Sequence, residues 1–206
     1  MKPALCRLFY MLQKIEYLNM LVEWNTNVQD RKFVASYSGG KDSSLALYKA
    51  IQMGEAIALI VMLEEQGQKS RSHGMSLDII HAQAKAIGLP IYSASATWQD
   101  YENQFIQKTQ ALGAETLVTG DIDLMAHAEW NQSVCDKTEL SLCMPLWQRP
   151  RLDIVHEFIR LGFQSIIVTV NLNLGMTVED LGQVLSLEYV DQLVARGIDP
   201  CGEAGE

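Results

Sequence analysis

From Lys32 onward the chain alternates short apolar runs with segments of helical period, and this alternation limits the fold more than any other feature of the sequence. Strand-length runs fall at 32–37, 56–63, 90–95, 115–120, 140–146 and 165–170. Helical patterns fill 43–53, 76–87, 100–112, 124–137 and 151–161, and Gly54, Gly88, Gly113 and Gly162 follow four of them, as where a chain leaves a helix through a left-handed turn. Repeated βαβ units bury a mostly parallel sheet between helices and gather ligands at the carboxyl ends of the strands. The expected class is α/β: a mostly parallel, Rossmann-like sheet with helices on both faces. A smaller C-terminal portion of loops and helices, at 178–184 and 187–196, follows it.

Charge and cysteine usage narrow the chemistry. Sixteen basic against twenty-five acidic residues give a net charge of −9 over 206 residues, so no overall positive field exists to hold a nucleic-acid backbone. Cys6, Cys135, Cys143 and Cys201 are scattered and form no C-x-x-C pair, which predicts a reducing cytoplasm and no structural zinc. No stretch reaches the roughly 18 apolar residues of a membrane span. Residues 1–32 carry five basic and three acidic groups and the remainder eleven and twenty-two, which predicts a boundary near Asp30. Within this extension Leu5, Leu8, Leu12, Ile15 and Leu18 recur at helical spacing. Two readings stay open: an amphipathic helix that docks on the body or a partner, and an early start codon with Met11 or Met20 as alternatives.

The most informative segment is Ser38-Gly39-Gly40-Lys41-Asp42-Ser43, which follows the first apolar run and opens the first helix. Two glycines let successive backbone N–H groups face one anion, and the helix start adds its positive dipole end. Serine hydroxyls and the Lys41 ammonium supply further donors to phosphate oxygens. The spacing is neither the Walker A pattern nor G-x-G-x-x-G. Asp42 beside phosphate calls for a cation between them, hence Mg²⁺ with Asp42 as its ligand.

This loop resembles the pyrophosphate loop of the N-type ATP pyrophosphatases, of adenine nucleotide α-hydrolase-like fold. Further segments, in order, are similar to the diphthine–ammonia ligase family. They are Arg71-Ser72-His73-Gly74, Gly120-Asp121-Ile122-Asp123, His127-Ala128-Glu129-Trp130, Cys135, Pro145-Leu146-Trp147 and the run from Gly197 to Glu206 that holds Asp199, Cys201, Gly202, Glu203 and Glu206. The resemblance covers about residues 32–206. It implies an ATP-dependent ligase: ATP activates a carboxylate, pyrophosphate leaves, and ammonia forms the amide. The acceptor it implies is the diphthine of elongation factor 2 or a small carboxylic acid, with ATP and Mg²⁺ as cofactors; a homodimer stays open. Under this reading the chain divides into an extension at 1–31, an ATP pyrophosphatase domain at 32–172 and a shortened substrate-side portion at 173–206. Alternatives are an ATP pyrophosphatase acting on another small molecule or tRNA, and a nucleotide-binding module without turnover.

Several residues keep two readings. Asp121 and Asp123, at the exit of the fourth apolar run, hold Mg²⁺, an ammonium ion or a cationic substrate, or else cap the next helix. His127 and Trp130, three apart, form one substrate-facing contact, or Trp130 is core. Arg71 and His73 meet phosphate or the acyl-adenylate, or lie in a basic surface loop. Glu203 and Glu206 present acids from a glycine turn, or form a solvated tail. The resemblance assigns Lys41, Asp121, Asp123, Glu203 and Glu206 to catalysis. It assigns Ser38 to Ser43, Arg71, His73 and Gly120 to the nucleotide, and His127, Trp130, Asp199, Cys201, Gly202 and Glu203 to the substrate.

Overall fold

The computed structural model describes Trp24 and residues 28–203. Five strands form one sheet: β1 (Lys32–Ser36), β2 (Glu55–Leu63), β3 (Ile91–Ser95), β4 (Thr116–Val118) and β5 (Ser141–Cys143). Every pairing is parallel and the order is β3-β2-β1-β4-β5. The helices are α1 (Lys41–Ile51), α2 (Leu77–Ile87), α3 (Tyr101–Gln110), α4 (Met125–Thr138), α5 (Arg151–Arg160) and α6 (Leu187–Ala195). The chain winds from β1 outward to β3, then returns to build β4 and β5 on the other side. The crevice between β1 and β4 is thus the switch point where such sheets bind ligands.

Strand residues are buried on both faces and divide by parity, as a sheet covered on two sides requires. Phe33, Ala35 and Leu59 join Leu45, Leu47 and Ala50 of α1 and Ile154, Val155 and Phe158 of α5 in one core. Val34, Ala58, Ile60 and Met62 point the opposite way, to Phe105 of α3 and Val134 of α4. Ile80 brings α2 to the first face, against Val61 and Leu63.

The structure departs from the sequence reading in three places. The run at 165–170 adds no strand to the sheet; it forms an antiparallel bridge, Ile166 to Val184, while Ile167 and Val170 pack against the first core. The expected helix at 178–184 is a single 3₁₀ turn, Val178–Asp180, closed by a Thr177–Asp180 capping box and followed by Gly182 at φ +78°. Gly54 does not cap α1 in the left-handed region. A side chain there would drive into the carbonyl oxygens of Val28 and Arg31, 2.3 and 2.7 Å from its Cβ, so the position needs glycine for close backbone approach.

That approach belongs to a segment assigned by charge to the extension. Val28 is fully buried, and Trp24 is buried edge-on against Trp147 at 5.6 Å, with its indole N–H donating to Gln132 Oε1 at 3.0 Å. The packed body therefore begins before residue 32. The leucine stripe from Leu5 to Leu18 lies outside the described residues. Among the described residues no helix is long and apolar enough to cross a membrane.

Candidate active site

The loop after β1 is built to leave backbone donors open. Gly40 is the N-cap of α1 and supplies no side chain to cap it, while its carbonyl accepts the hydroxyls of Ser43 and Ser44 at 3.0 and 2.8 Å. The first-turn N–H groups therefore face the β1–β4 crevice uncapped. Ser38 Oγ donates to Ser43 Oγ at 3.1 Å and accepts from the Gly40 N–H at 3.3 Å, which holds the curl. Gln83 of α2 braces it by donating to the Gly39 carbonyl at 3.2 Å.

Two close approaches fix what surrounds the loop. A Cβ on Gly120 would stand 2.7 Å from the Ser43 nitrogen and 2.8 Å from the Asp42 carbonyl carbon, so the exit of β4 lies directly across the start of α1. The excursion after β2 folds back through bridges Leu63–Ser70 and Lys69–Ser76. It lays His73 against Gly40, where a Cβ would overlap Nε2 at 2.3 Å, and within 3.1 Å of Ser38 Oγ. Burial and the Lys41 charge push the His73 pKa down, which keeps the imidazole neutral beside the loop.

Lys41 and Asp42 meet the C-terminal turn. Lys41 Nζ is 2.7 Å from Asp42 Oδ2 and donates to the Cys201 carbonyl, and Cys201 Sγ is 3.8 Å from Asp42 Oδ1. Burial alone would lower the Lys41 pKa; Asp42 foremost, with Glu203, outweighs it and holds the ammonium charged. Glu203 is pushed up, by burial first and then by the Asp42 carboxylate, with Lys41 and Arg151 opposing. The Cys201 thiol is pushed up to about 12 by burial and is no nucleophile.

Asp121 accepts from His127 Nδ1 at 3.1 Å and from Asn131 Nδ2 at 2.7 Å. Burial would raise its pKa, but the hydrogen bonds from His127 and Asn131 prevail and lower it. The same contact with Asp121 raises the pKa of His127. The pair matches a carboxylate that orients an imidazole and strengthens its hold on a proton.

Asp123 differs from its sequence reading. Its carboxylate is taken bidentately by Arg151 Nε and Nη2 at 2.7 and 2.9 Å, and Arg151 Nη1 reaches Asp199, so Asp123 belongs to an ion-pair bridge. Asp199 also accepts from the Cys201 N–H at 2.9 Å, and Gly202 turns the chain at φ +75°. Through Arg151 the β4 exit, the start of α5 and the C-terminal turn are tied together. His127 and Trp130 do not act as one contact: His127 turns to Asp121, whereas Trp130 packs on Tyr101 and Phe105 at 5.6 and 5.5 Å. Arg71 leaves the loop that His73 joins; its guanidinium donates to the Ala96 carbonyl and lies 4.2 Å over Trp98. Glu206 lies outside the described residues.

Among the described residues no three His, Cys, Asp or Glu side chains form a protein-only metal cage. The crowding of Asp42 and Glu203 around one ammonium fits instead a Mg²⁺ ion held largely by nucleotide phosphates, with Asp42 as its protein contact. Reading the sequence alone missed Arg151 and Asn131. Arg151 carried a signal: a cation in the first turn of a helix opposes the dipole and so asks for a carboxylate partner.

The family model of the diphthamide synthase N-terminal domain matches residues 31–142, more than half of the chain. No curated protein matches. Among solved structures, a predicted subunit of tRNA methyltransferase from Methanocaldococcus jannaschii superposes with a TM-score of 0.45 at 16% identity, over 82% of this chain and 89% of that one.

Proposed function

Since the chain belongs to the diphthamide synthase N-terminal domain family, a group of PP-loop enzymes that use ATP, we propose that it is an ATP-dependent amide-forming ligase acting on a carboxylate. The observation that carries this reading is the uncapped start of α1 at the sheet's switch point, with the β4 exit laid across it and Lys41 beside it.

The ATP phosphates lie on the first-turn N–H groups of 41–43 and on Lys41, whose charge the site maintains. Asp42 would hold a Mg²⁺ ion, which when bound would supply charge neutralisation to the leaving pyrophosphate. An oxygen of the substrate carboxylate attacks the α-phosphorus, the bond to pyrophosphate breaks, and the acid becomes an acyl-adenylate. Ammonia then attacks the acyl carbon, the bond to AMP breaks, and the surplus proton on nitrogen passes to His127, held by Asp121. Glu203, at the crevice edge, attracts the ammonium from which the nucleophile derives.

The test is incubation with ATP, Mg²⁺, ammonium and a panel of ¹⁸O-carboxylate acids. The reading expects amide, pyrophosphate and AMP carrying one ¹⁸O. ADP as product, or AMP without label, overturns it.

A further inference from the structure

At the exit of β3 stands a second constellation that the phosphate loop does not explain. The Arg71 guanidinium lies 4.2 Å over the Trp98 ring and 5.9 Å from the Tyr101 centroid, and donates to the Ala96 carbonyl. Trp98 stacks on Tyr101 at 5.9 Å with planes 29° apart, and Tyr101 is in turn fixed by Phe105 and Trp130. Trp98 is nonetheless 74% exposed, so its indole contributes little to burying the core.

We propose that Arg71, held between Trp98 and the Ala96 carbonyl, receives a carboxylate of the acceptor. The proposal deepens the ligase reading and rests on it for the identity of the ligand.

Charge leads to this assignment. Asp42, Asp121, Asp123, Asp199 and Glu203 crowd one edge of a chain whose net charge is −9, a field that repels an anionic acceptor. The other cations there are engaged: Lys41 by Asp42, and Arg151 by Asp123 and Asp199. Arg71 has no carboxylate partner among the described residues, and its Nε is buried with no hydrogen-bond partner. Stacking on an aromatic face leaves the in-plane N–H groups of a guanidinium unblocked, and the Nη1 group, which the Ala96 carbonyl does not take, is the donor that meets a carboxylate oxygen. The ring also restrains the long side chain, so less freedom is lost on binding.

Direction separates this site from the nucleotide. His73 turns to Ser38 and Gly40, whereas Arg71, two positions earlier, turns to the β3 exit and the start of α3. Tyr101, beside the guanidinium, packs on Trp130 at 5.6 Å, on the helix that also carries His127 and Asn131.

The experiment titrates the nucleotide-free protein with glutarate and with its neutral counterpart glutaramide. Affinity is read by calorimetry, and the site by the indole N–H resonance that disappears in Trp98→Phe. Expected is a saturable shift of that resonance with glutarate and none with glutaramide. Arg71→Met should bind glutarate roughly ten- to a hundredfold more weakly, Arg71→Lys should recover part of the loss, and both should keep wild-type ATP affinity. Should Arg71→Met fail to fold, Trp98→Leu at a mostly exposed position carries the same expectation by calorimetry. No saturable shift, equal glutarate binding in Arg71→Met, or a parallel loss of ATP affinity overturns the proposal. Because no turnover is measured, failure here is distinct from failure to form AMP and amide.

Discussion

The ammonium of Lys41 donates to the backbone carbonyl of Cys201, 160 positions further along the chain. The contact joins the phosphate loop to the C-terminal turn, and Arg151 ties that same turn to the exit of β4. A nucleotide phosphate that took Lys41 would compete with this carbonyl, and nucleotide binding would then be coupled to the placing of Glu203 through one side chain.

Lys41→Ala removes both a phosphate donor and the anchor of the turn. ATP affinity should fall roughly ten- to a hundredfold, the worth of a charge-assisted hydrogen bond. Amide hydrogen exchange at 199–203 should accelerate even without nucleotide. Unchanged ATP affinity by calorimetry removes the lysine from the nucleotide site.

Gly120→Ala adds one methyl group where only backbone atoms of Ser43 and Asp42 stand, at 2.7 and 2.8 Å. Backbone cannot swing aside as a side chain does, so β4 and the start of α1 must part. A loss of about 1–3 kcal/mol in urea denaturation is expected, together with weaker ATP binding because the first-turn N–H groups move.

Trp24→Ala tests where the body begins. Trp24 is only 4% exposed, packs on Trp147 and bonds Gln132. Truncation should cost about 3–5 kcal/mol, and a chain starting at Lys32 should unfold at lower temperature than the full chain. An unchanged Tm would leave the boundary near Asp30, where the charge shift put it.

The helices and the central strands were legible because burial on both sheet faces writes itself as apolar runs, as in Ala58 to Leu63. The loop at 38–43 could be read as one unit because its residues are consecutive, and the curl that Ser38 and Gly40 make is local. The run at 165–170 misled for a physical reason: its apolar side chains, Ile166 at 57% and Val168 at 59% exposed, are not paid for by burial in the sheet. The Arg151 bridge joins positions 28 and 48 residues apart, and no local spacing encodes such a partnership. Charge placed the boundary near Asp30, yet charge reports surface composition, whereas Trp24 and Val28 obey packing.

The Asp121–His127 pair makes the last prediction, and its sign follows from the two shifts. The His127 pKa is raised, chiefly by its hydrogen bond to Asp121, so its contribution to stability is complete below the ordinary histidine value and is lost as pH rises through the folded one. That of Asp121 is lowered, so its contribution is present above the ordinary carboxylate value and is lost as pH falls through the folded one. Both contributions are therefore complete between the ordinary carboxylate and the ordinary histidine values, and each is lost beyond its own folded pKa. Asp121→Asn keeps the shape but removes the charge, so the His127 imidazole, followed by NMR, should titrate at lower pH than in wild type. ATP should still bind through 38–43, while single-turnover amide yield falls roughly ten- to a hundredfold, the rate equivalent of one charge-assisted hydrogen bond. Glu203→Gln should likewise spare ATP binding and slow amide formation, but leave the Asp121–His127 hydrogen bond in place. If Asp121→Asn lowers nucleotide affinity as much as amide yield, the carboxylate serves the nucleotide or its metal. If it moves the imidazole titration and nothing else, the pair is structural and the proton leaves by another route.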